Sequence, residues 1–593
     1  MHVITRARGA AALVLAAVYL GASPAPAQEA ARDTTVPSPG LWMAKQRFGP
    51  DVRGRLLLFR EGNAWRAEIA GHRVAARAAA DTISFTLPDS LGSFRGRLSR
   101  DQRSLAGHWV QPSTVMSGSQ YASPLRLHTD GANRWMGDVV PLEDELTLFL
   151  RITRRPDGTF GAFLRNPERN LGRQLRIDRI ERHGAEVTAV GKFNGAGQER
   201  VLSRGLLTSA GFSLDFDGRG TFEFHRVGDG EYSDFYPRGR PTGSYSYRPP
   251  PRLDDGWPVG TLESVGLSTD TISAFVRALI DASMDTLSAQ QMHALLIARH
   301  GTLVLEEYFH GFDRDAPHDT RSAGKSMTAT LAGAAIHAGL GGLSLSSPVY
   351  AIMNGGTFPA DIEPRKRTIT LEHFMSMSSG IDCDDSDPNS PGNENTMLDG
   401  DTRDYYAFTL KLKTIRDPGT KAVYCSVQPN LVGGAIARAT RRPLTDLFDE
   451  LVAGPLDIRH YYMNLSPTGD PYMGGGIRFT ARDFAKFGQL YLNGGTWRGR
   501  RILDRSFIER ASSPRLTIGT GGYGLLWWVT DYPFRGDSVR AYFASGNGGQ
   551  YTIVIPRLDM VVTAYAGNYQ DATALKTQRE DVPRYILSAV RAQ

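Results

Sequence analysis

A proline-rich stretch at residues 238–251 divides this chain into two parts with different hydrophobic patterns. Prolines stiffen such a segment and remove backbone hydrogen-bond donors, which is typical of a linker. Short runs of alternating apolar and polar residues precede it, whereas helical spacing appears after it. Because 593 residues are too many for a single core, we predict a β-rich region at 40–237, a linker at 238–255 and an α/β domain at 256–593.

The β-rich region contains two predicted hairpins. Residues 56–60 lead through a Glu-Gly-Asn turn into 64–69, and residues 146–152 lead through Pro-Asp-Gly into 160–164. A Trp-Met pair precedes each hairpin, at Trp42 and at Trp135, which suggests a weak internal duplication. The pattern predicts barrel-like structure and leaves open whether there is one barrel or two.

The first 27 residues have the pattern of an export signal. Arg6 and Arg8 precede a short apolar run, and Ala25-Pro26-Ala27 is a small-residue cleavage site. Residues 28–39 are then a flexible leader. We expect a periplasmic or secreted protein with no transmembrane segment after signal removal. The formal charge of +6 is small and its arginines are scattered, so no nucleic-acid partner is expected.

The chain has only two cysteines, Cys383 and Cys425. In an oxidising compartment two cysteines can pair, and export makes a lone thiol a hazard, which slightly favours a disulfide. Two buried free thiols are the alternative. The spacing alone does not decide between them.

The α/β domain has strand patterns near both of its ends. Ser268 is a predicted cap for a helix, and residues 294–298 and 303–309 form a predicted hairpin. Near the C-terminus, Thr480 begins a predicted helix, and predicted strands cover 542–544, 551–556 and 560–564. We therefore expect an antiparallel sheet that is assembled from both ends of the domain and flanked by helices.

Ser322 and Lys325 lie in the stretch Arg-Ser-Ala-Gly-Lys-Ser-Met, which opens an apolar run. In a helix, the two side chains are one turn apart on the same face. A serine hydroxyl becomes a nucleophile when a neighbouring group removes its proton. We expect burial to discharge the amine of Lys325 and make it that base, while the N–H groups at the helix start stabilise an oxyanion.

The order of further motifs resembles the penicillin-recognising serine hydrolases, the superfamily of class C β-lactamases, D,D-peptidases, related esterases and nylon-oligomer hydrolases. The resemblance covers about Gly256 to the end of the chain. It rests on Ser322-Ala-Gly-Lys325, Tyr424-Cys425-Ser426 and Gly546-Asn547-Gly548-Gly549-Gln550. It implies a β-lactamase-like α/β fold, an acyl-enzyme mechanism and no cofactor.

The resemblance also implies roles for individual residues. Tyr424 would pass the proton of Ser322 to the leaving group, and Ser426, in place of a more usual Asn, would bond Lys325 or the substrate. The N–H groups of Ser322 and Gln550 would form the oxyanion hole. Asn547, Gly548 and Gly549 would let the backbone approach the substrate, with residues 376–425 and 520–550 bordering the cleft.

Asn547 is neutral where the superfamily often has a lysine or histidine. Loss of a charge-assisted hydrogen bond to a substrate carboxylate costs about 1.5–3 kcal/mol. The Gly-Asn-Gly-Gly form therefore favours the esterase and nylon-oligomer branch over an efficient β-lactamase or D,D-peptidase. An arginine such as Arg478 could restore a positive charge, so this argument does not exclude those activities.

We therefore interpret the chain as an exported serine hydrolase that cleaves an ester, an amide or a peptide. The alternatives are a β-lactamase or D,D-peptidase, and a non-catalytic protein that binds a ligand or the cell wall. No metal site is predicted: the acidic loop at 382–387 lacks regular ligand spacing and is expected to be solvated.

Overall fold

The computed structural model describes residues 37–114, 118–241 and 243–591. The predicted signal peptide and residues 28–36 of the predicted leader lie outside the described residues. Among the described residues, no helix combines the length and the apolar character that crossing a bilayer requires.

Within the described residues, the segment 40–227 forms sixteen strands, one short α-helix and one 3-10 turn (Pro88–Ser90). The strands are β1 (Gly40–Arg47), β2 (Gly54–Glu61), β3 (Ala64–Ile69), β4 (His72–Ala79), β5 (Thr82–Thr86), β6 (Ser93–Leu98), β7 (Ser104–Gln111), β8 (Tyr121–Thr129), β9 (Arg134–Val139), β10 (Glu145–Arg154), β11 (Phe160–Arg165), β12 (Leu175–His183), β13 (Glu186–Phe193), β14 (Arg200–Leu206), β15 (Gly211–Phe216) and β16 (Gly220–Val227). The helix is α1 (Leu171–Gln174).

These strands form two antiparallel barrels. The first contains β2 to β9 and closes because β9 pairs with both β2 and β8. The second contains β1 and β10 to β16 and is also closed. The first barrel is therefore inserted between β1 and β10 of the second. Both predicted hairpins are confirmed, as β2–β3 and β10–β11.

Each barrel encloses its own apolar core. Inward-facing aromatic rings fill the interiors, with Trp65 against Trp135 at 4.9 Å in the first barrel and Trp42 against Phe212 at 5.1 Å in the second. Alternate residues of each strand point inward, so the period-two pattern of the sequence follows directly from this arrangement. The two Trp-Met pairs belong to different barrels, which resolves the question that the sequence left open.

The rest of the chain forms a larger domain of strands and helices. Its strands are β17 (Met292–Arg299), β18 (Thr302–Tyr308), β19 (His318–Asp319), β20 (Met463–Asn464), β21 (Arg478–Phe479), β22 (Thr496–Trp497), β23 (Arg500–Arg501), β24 (Leu516–Ile518), β25 (Gly521–Tyr523), β26 (Trp528–Phe534), β27 (Asp537–Gly546), β28 (Gln550–Ile555) and β29 (Met560–Ala566). Its α-helices are α2 (Thr269–Ile280), α3 (Gly324–His337), α4 (Val349–Met353), α5 (Leu371–Met375), α6 (Glu394–Asp399), α7 (Tyr405–Lys411), α8 (Val427–Thr440), α9 (Leu444–Phe448), α10 (Ala481–Leu492) and α11 (Arg505–Ala511).

The main sheet of this domain runs in the order β18-β17-β29-β28-β27-β26-β25-β24 and is antiparallel. Strands from both ends of the domain meet in it, as the sequence predicts. Alternate residues of β17 serve two cores: Leu296 faces the side of α3, α8 and α10, whereas Leu295 and Ile297 face α2 and the C-terminal helical segment Thr577–Leu587. Burial on both faces explains why the central strands are apolar throughout.

The linker packs against the edge of this sheet. Tyr245 donates its hydroxyl to Glu307 at 2.7 Å, and Tyr247 donates to the carbonyl of Val304 at 2.7 Å. The linker has no regular secondary structure. These part-buried hydroxyl contacts hold it along β18.

The first barrel also contacts the larger domain directly. β20 pairs with β8 at Met463 and Ala122, so that a strand of the larger domain extends the barrel sheet. Next to this pairing, Arg126 forms an ion pair with Asp449 at 3.0 Å. The barrel is thus joined to the domain that carries Ser322 by backbone as well as side-chain contacts.

Candidate active site

Ser322 lies in the short 3-10 turn Arg321–Ala323, directly before α3. Arg321 has a positive φ of 49°, a left-handed conformation that costs a non-glycine residue about 1–3 kcal/mol. Two contacts hold it: Asp319 accepts the Arg321 N–H at 2.8 Å, and Gly476 donates its N–H to the Arg321 carbonyl at 3.0 Å. The backbone therefore turns sharply just before Ser322, which presents this residue at the start of the helix.

Lys325 lies one turn further along and contacts Ser322 directly. Its Nζ donates to Ser322 Oγ at 2.9 Å. The lysine is 1% exposed, because α3 is buried along almost its whole length between the sheet and α8. The predicted contact between the two side chains is therefore present, although Ser322 lies in the 3-10 turn before α3 and not in the helix itself.

Tyr424 lies on the other side of the lysine. Lys325 Nζ is 5.0 Å from the centre of the Tyr424 ring, and Tyr424 contributes to raising the pKa of the lysine. The tyrosine ring stacks on Trp528 at 5.8 Å and meets the edge of Tyr523 at 6.4 Å. The fold thus brings Tyr424 into one cluster with Ser322 and Lys325, which precede it by about a hundred residues in the sequence.

The charge state of Lys325 differs from the expectation based on burial alone. Desolvation lowers the pKa of Lys325, but the side chains of Tyr424, Glu394 and Asp385 outweigh it and raise the pKa above its ordinary value of 10.5. A raised pKa means that the amine stays protonated up to and beyond pH 10.5. The lysine therefore enters the site as an ammonium that donates to Ser322, and not as a free base.

Asp385 and Glu394 are functional candidates that the sequence analysis missed. Asp385 belongs to the acidic loop that we expected to be solvated, yet it accepts hydrogen bonds from Ser426, at 2.6 Å from the hydroxyl and 2.8 Å from the N–H. Glu394, at the start of α6, donates its N–H to Asp385 at 3.0 Å and accepts the Tyr472 hydroxyl. After Tyr424, these two carboxylates are the groups that raise the pKa of Lys325.

Ser426 consequently has a different partner from the one the resemblance implies. It is 1% exposed, and its hydroxyl bonds Asp385 rather than Lys325. Its position two residues after Tyr424 fixes the acidic loop beside the tyrosine. The signal available in the sequence was the density of aspartates at 382–387, but spacing alone does not reveal which carboxylate turns inward.

The glycine-rich segment forms the connection between β27 and β28, and both strands pack against the turn that carries Ser322. A side chain at Gly546 would come within 2.2 Å of the Thr320 carbonyl, so only glycine allows this approach. Gly548 and Gly549 have φ values of 97° and 101°, which also favour glycine. The segment therefore lies beside Ser322 through its backbone.

The side chains of this segment are used structurally. Asn547 is exposed, and its Oδ1 accepts the N–H of Gln570 at 2.9 Å. The Gln550 side chain is fully buried and donates to the carbonyl of Ala566 at 2.7 Å. Gln550 thus binds β28 to β29 through its amide, and the oxyanion role of its backbone N–H stays a prediction.

Cys383 and Cys425 form a disulfide in the structure, with their Cα atoms 5.9 Å apart. The bridge joins the acidic loop to the residue that follows Tyr424. The disulfide therefore holds two segments together. One contains Asp385 and Glu394, and the other contains Tyr424 and Ser426.

Replacing both cysteines by alanine is expected to destabilise the protein by about 3–4 kcal/mol, because the bridge closes a 42-residue loop in the unfolded chain. Guanidinium unfolding of the double variant, and of the wild type with and without dithiothreitol, measures this effect. An unchanged unfolding midpoint in all three samples would contradict it.

An antiparallel sheet flanked by helices, with a serine and a lysine one turn apart at the start of a buried helix, defines the class of β-lactamase-like hydrolases. A model of the Beta-lactamase family matches residues 276–581, slightly more than half of the chain. The chain belongs to this family, as the order of its motifs predicts. The two barrels lie before the matched region.

Among curated relatives, the chain is similar to the 6-aminohexanoate-dimer hydrolase of Paenarthrobacter ureafaciens. The two are 27% identical over 292 residues, which cover 45% of this chain and 71% of the hydrolase. Among solved structures, a family VIII carboxylesterase is 18% identical with a TM-score of 0.42, covering 54% of this chain and 96% of the esterase. A penicillin-binding protein homologue from Pyrococcus abyssi is 19% identical with a TM-score of 0.40, covering 52% of this chain and 76% of the homologue.

Proposed function

We propose that the protein is an exported serine hydrolase that cleaves an ester or amide through an acyl-enzyme on Ser322. The observation that carries the proposal is the hydrogen bond from Lys325 Nζ to Ser322 Oγ at 2.9 Å, with Tyr424 on the other side of the amine. A serine and a phenol that both lie beside one cation supply a nucleophile and a route for its proton.

In the proposed mechanism, the ammonium of Lys325 orients Ser322 Oγ and stabilises negative charge on the Tyr424 oxygen. That oxygen accepts the Ser322 proton as Oγ attacks the substrate carbonyl carbon. The N–H groups of Ser322 and Gln550 stabilise the oxyanion. Tyr424 then gives this proton to the leaving alcohol or amine as its bond to the carbonyl carbon breaks, which restores the negative charge on the Tyr424 oxygen. In the second step, that oxygen takes a proton from the attacking water and returns it to Ser322 Oγ as the bond between Oγ and the acyl carbon breaks and the acid leaves. This assignment moves the role of base from Lys325 alone to the Lys325–Tyr424 pair.

An ester or amide substrate is favoured over a β-lactam by the glycine-rich segment beside Ser322, which carries no cation of its own. Asn547 stands in this segment where related enzymes often have a cation that holds a substrate carboxylate. Ala544, which precedes the segment on β27, is also neutral. The similarity to a 6-aminohexanoate-dimer hydrolase agrees with an amide or ester substrate. Hydrolysis of nitrocefin, D-Ala-D-Ala peptides and short 4-nitrophenyl esters tests this choice. Rapid nitrocefin turnover with slow ester turnover would overturn it in favour of a β-lactamase.

Replacing Tyr424 by phenylalanine is expected to lower kcat by about 10²–10⁴-fold while leaving the fold intact, because only a proton-relay hydroxyl is removed. The stacking of the ring on Trp528 is preserved in the variant. Steady-state kinetics with 4-nitrophenyl acetate measure the loss. Tyr523→Phe is a matched control, since Tyr523 touches the same aromatic cluster without a contact to Lys325. Equal losses in both variants would contradict a relay role for Tyr424.

Export is part of the proposal and rests on the signal-like residues 1–27. We expect the mature chain to begin after Ala27 in the periplasm or outside the cell. Cell fractionation with N-terminal sequencing tests this, and recovery of an uncleaved chain from the cytoplasm would contradict it.

A further inference from the structure

A cavity of about 320 Å³ lies where the barrels meet the domain that carries Ser322. The barrels contribute the loop at 140–145 together with Glu168 and Arg169. The other wall is formed by residues 315–319, Arg321, Tyr462, Arg478 and Tyr569. Neither the proposed mechanism nor the packing of the two parts explains why a cavity of this size is lined with charged groups.

Three arginines line this cavity, one of them from the barrels. Arg321 is 3.1 Å from Asp319, and Arg478 is 3.8 Å from the same carboxylate. Arg169 approaches from the barrel side and pairs with Asp144 at 3.0 Å. The guanidinium of Arg478 also lies 5.6 Å from the centre of the Tyr121 ring of the first barrel, and its buried Nε has no acceptor among the described residues.

Positive charge predominates around Asp319. Although burial opposes its ionisation, Arg321 and Arg478 hold the pKa of Asp319 at about 2, so this carboxylate is always charged. It balances one of the two guanidinium groups that face it. The pKa of Arg169 is lowered, by burial first and then by Arg478 and Arg321, so the three cations lie near enough to repel one another.

The other acids of the cavity wall do not neutralise this surplus. Glu143 pairs with Arg47 and Arg53, and Glu145 pairs with Lys45. Burial raises the pKa of Glu168 to about 7, which leaves much of it uncharged at neutral pH. Asp315 is exposed at the rim.

The cavity is also adjacent to the candidate catalytic residues. Arg321 directly precedes Ser322, and its guanidinium lies 4.9 Å from the centre of the Tyr569 ring. That ring in turn packs against Gly548, at a distance where an added Cβ would approach within 2.6 Å. Arg321 and Tyr569 therefore connect the cavity to the glycine-rich segment beside Ser322.

We propose that this cavity is a carboxylate-binding subsite, completed by the barrels, that holds a second carboxylate of the substrate. The preferred substrate is then an ester or amide of a dicarboxylic acid, or one with an equivalent anionic end, bound by Arg478, Arg321 and Arg169. This inference rests on the proposed hydrolase function. It also gives the barrels a role, because Arg169, Glu168 and the loop at 140–145 form one wall of the cavity.

The experiment compares two substrates that differ only in the distal group, mono(4-nitrophenyl) adipate and 4-nitrophenyl hexanoate. We expect the wild type to show at least about tenfold higher kcat/KM for the adipate ester, through charge-assisted hydrogen bonds to its carboxylate. Arg478→Gln and Arg169→Gln are expected to reduce this ratio towards one. Arg154→Gln, an exposed arginine of the second barrel, is the matched control and should retain the ratio.

The outcomes separate the subsite from the hydrolase function itself. If the wild type hydrolyses neither ester and no fluorophosphonate reacts with it, the proposed function fails. If it hydrolyses both esters equally, the function stands and the subsite is overturned. Because Arg478→Gln could perturb the fold near β19 and β21, the Arg169→Gln variant and the labelling rate of each variant are measured in parallel. Loss of the ratio with an unchanged labelling rate supports the subsite.

Inhibition by free adipate distinguishes a substrate carboxylate from a separate effector. Competitive inhibition of hexanoate ester hydrolysis, lost in Arg169→Gln, supports the proposed subsite. Non-competitive inhibition would overturn it, because the cavity would then bind a free carboxylate independently of the substrate.

Discussion

Ser322→Ala is expected to abolish hydrolysis of 4-nitrophenyl esters, with a loss of at least about 10⁴-fold in kcat. The substitution removes only the hydroxyl group. Lys325 Nζ thereby loses one hydrogen-bond acceptor, which water can replace. Because the proposed reaction proceeds through an ester on this oxygen, the variant should also fail to react with a fluorophosphonate probe. Mass spectrometry of the intact protein measures the label directly.

Ser326→Ala is the matched control for this experiment. Ser326 lies on the same helix, and its hydroxyl donates to the carbonyl of Leu526 at 2.6 Å. Its removal is expected to cost about 1 kcal/mol of stability and to leave labelling intact. Label that persists in Ser322→Ala, or that never forms on the wild type, would instead favour a protein that binds a ligand without cleaving it.

Lys325→Met is expected to lower kcat by about 10³-fold, since it removes the charge that orients Ser322 and stabilises the Tyr424 oxygen. The substitution places an apolar side chain of similar length in a buried position. Removing one partner from a buried charge interaction is destabilising, because Asp385 and Glu394 lose the cation that faces them although they keep their bonds to Ser426 and Tyr472. We therefore expect a lower Tm together with the loss of activity.

The pH dependence tests the charge state of the lysine. Because the pKa of Lys325 is raised above 10.5, its charge and any stability linked to that charge are fully present below this pH and are lost only above it. Lys325 should therefore contribute no change in rate or stability between pH 6 and 9. A rate that rises through this range in the wild type, but not in Lys325→Met, would show that the neutral amine is the base.

Lys486→Met separates this effect from the general cost of removing a buried lysine. Lys486, on α10, is fully buried and pairs with Asp483 at 2.8 Å, away from Ser322. Its loss leaves Asp483 without its cation, which is expected to destabilise the protein by about 3–5 kcal/mol while the folded fraction remains reactive with the probe. Both lysine variants should thus lose stability, whereas only Lys325→Met should lose reactivity with the probe in its folded fraction.

Much of the architecture follows from patterns between neighbours in the chain. Alternating residues predict the strands of both barrels, Ser268 and Thr480 begin helices as their capping chemistry requires, and each side chain accepts the expected N–H. Ser322 and Lys325 are close because one helical turn separates them. Such features depend on backbone geometry over a few residues, and the sequence therefore determines them by itself.

Only the tertiary structure decides which distant residues meet. β1 joins the second barrel although the first barrel follows it in the chain. Asp385 turns inward to Ser426, and together with Glu394 it keeps Lys325 charged, against the expectation from burial alone. Arg169 of the barrels joins Arg321 and Arg478 around one cavity. A pKa and a binding cavity depend on the distances between charges, and those distances are set by packing between residues that are far apart in the chain.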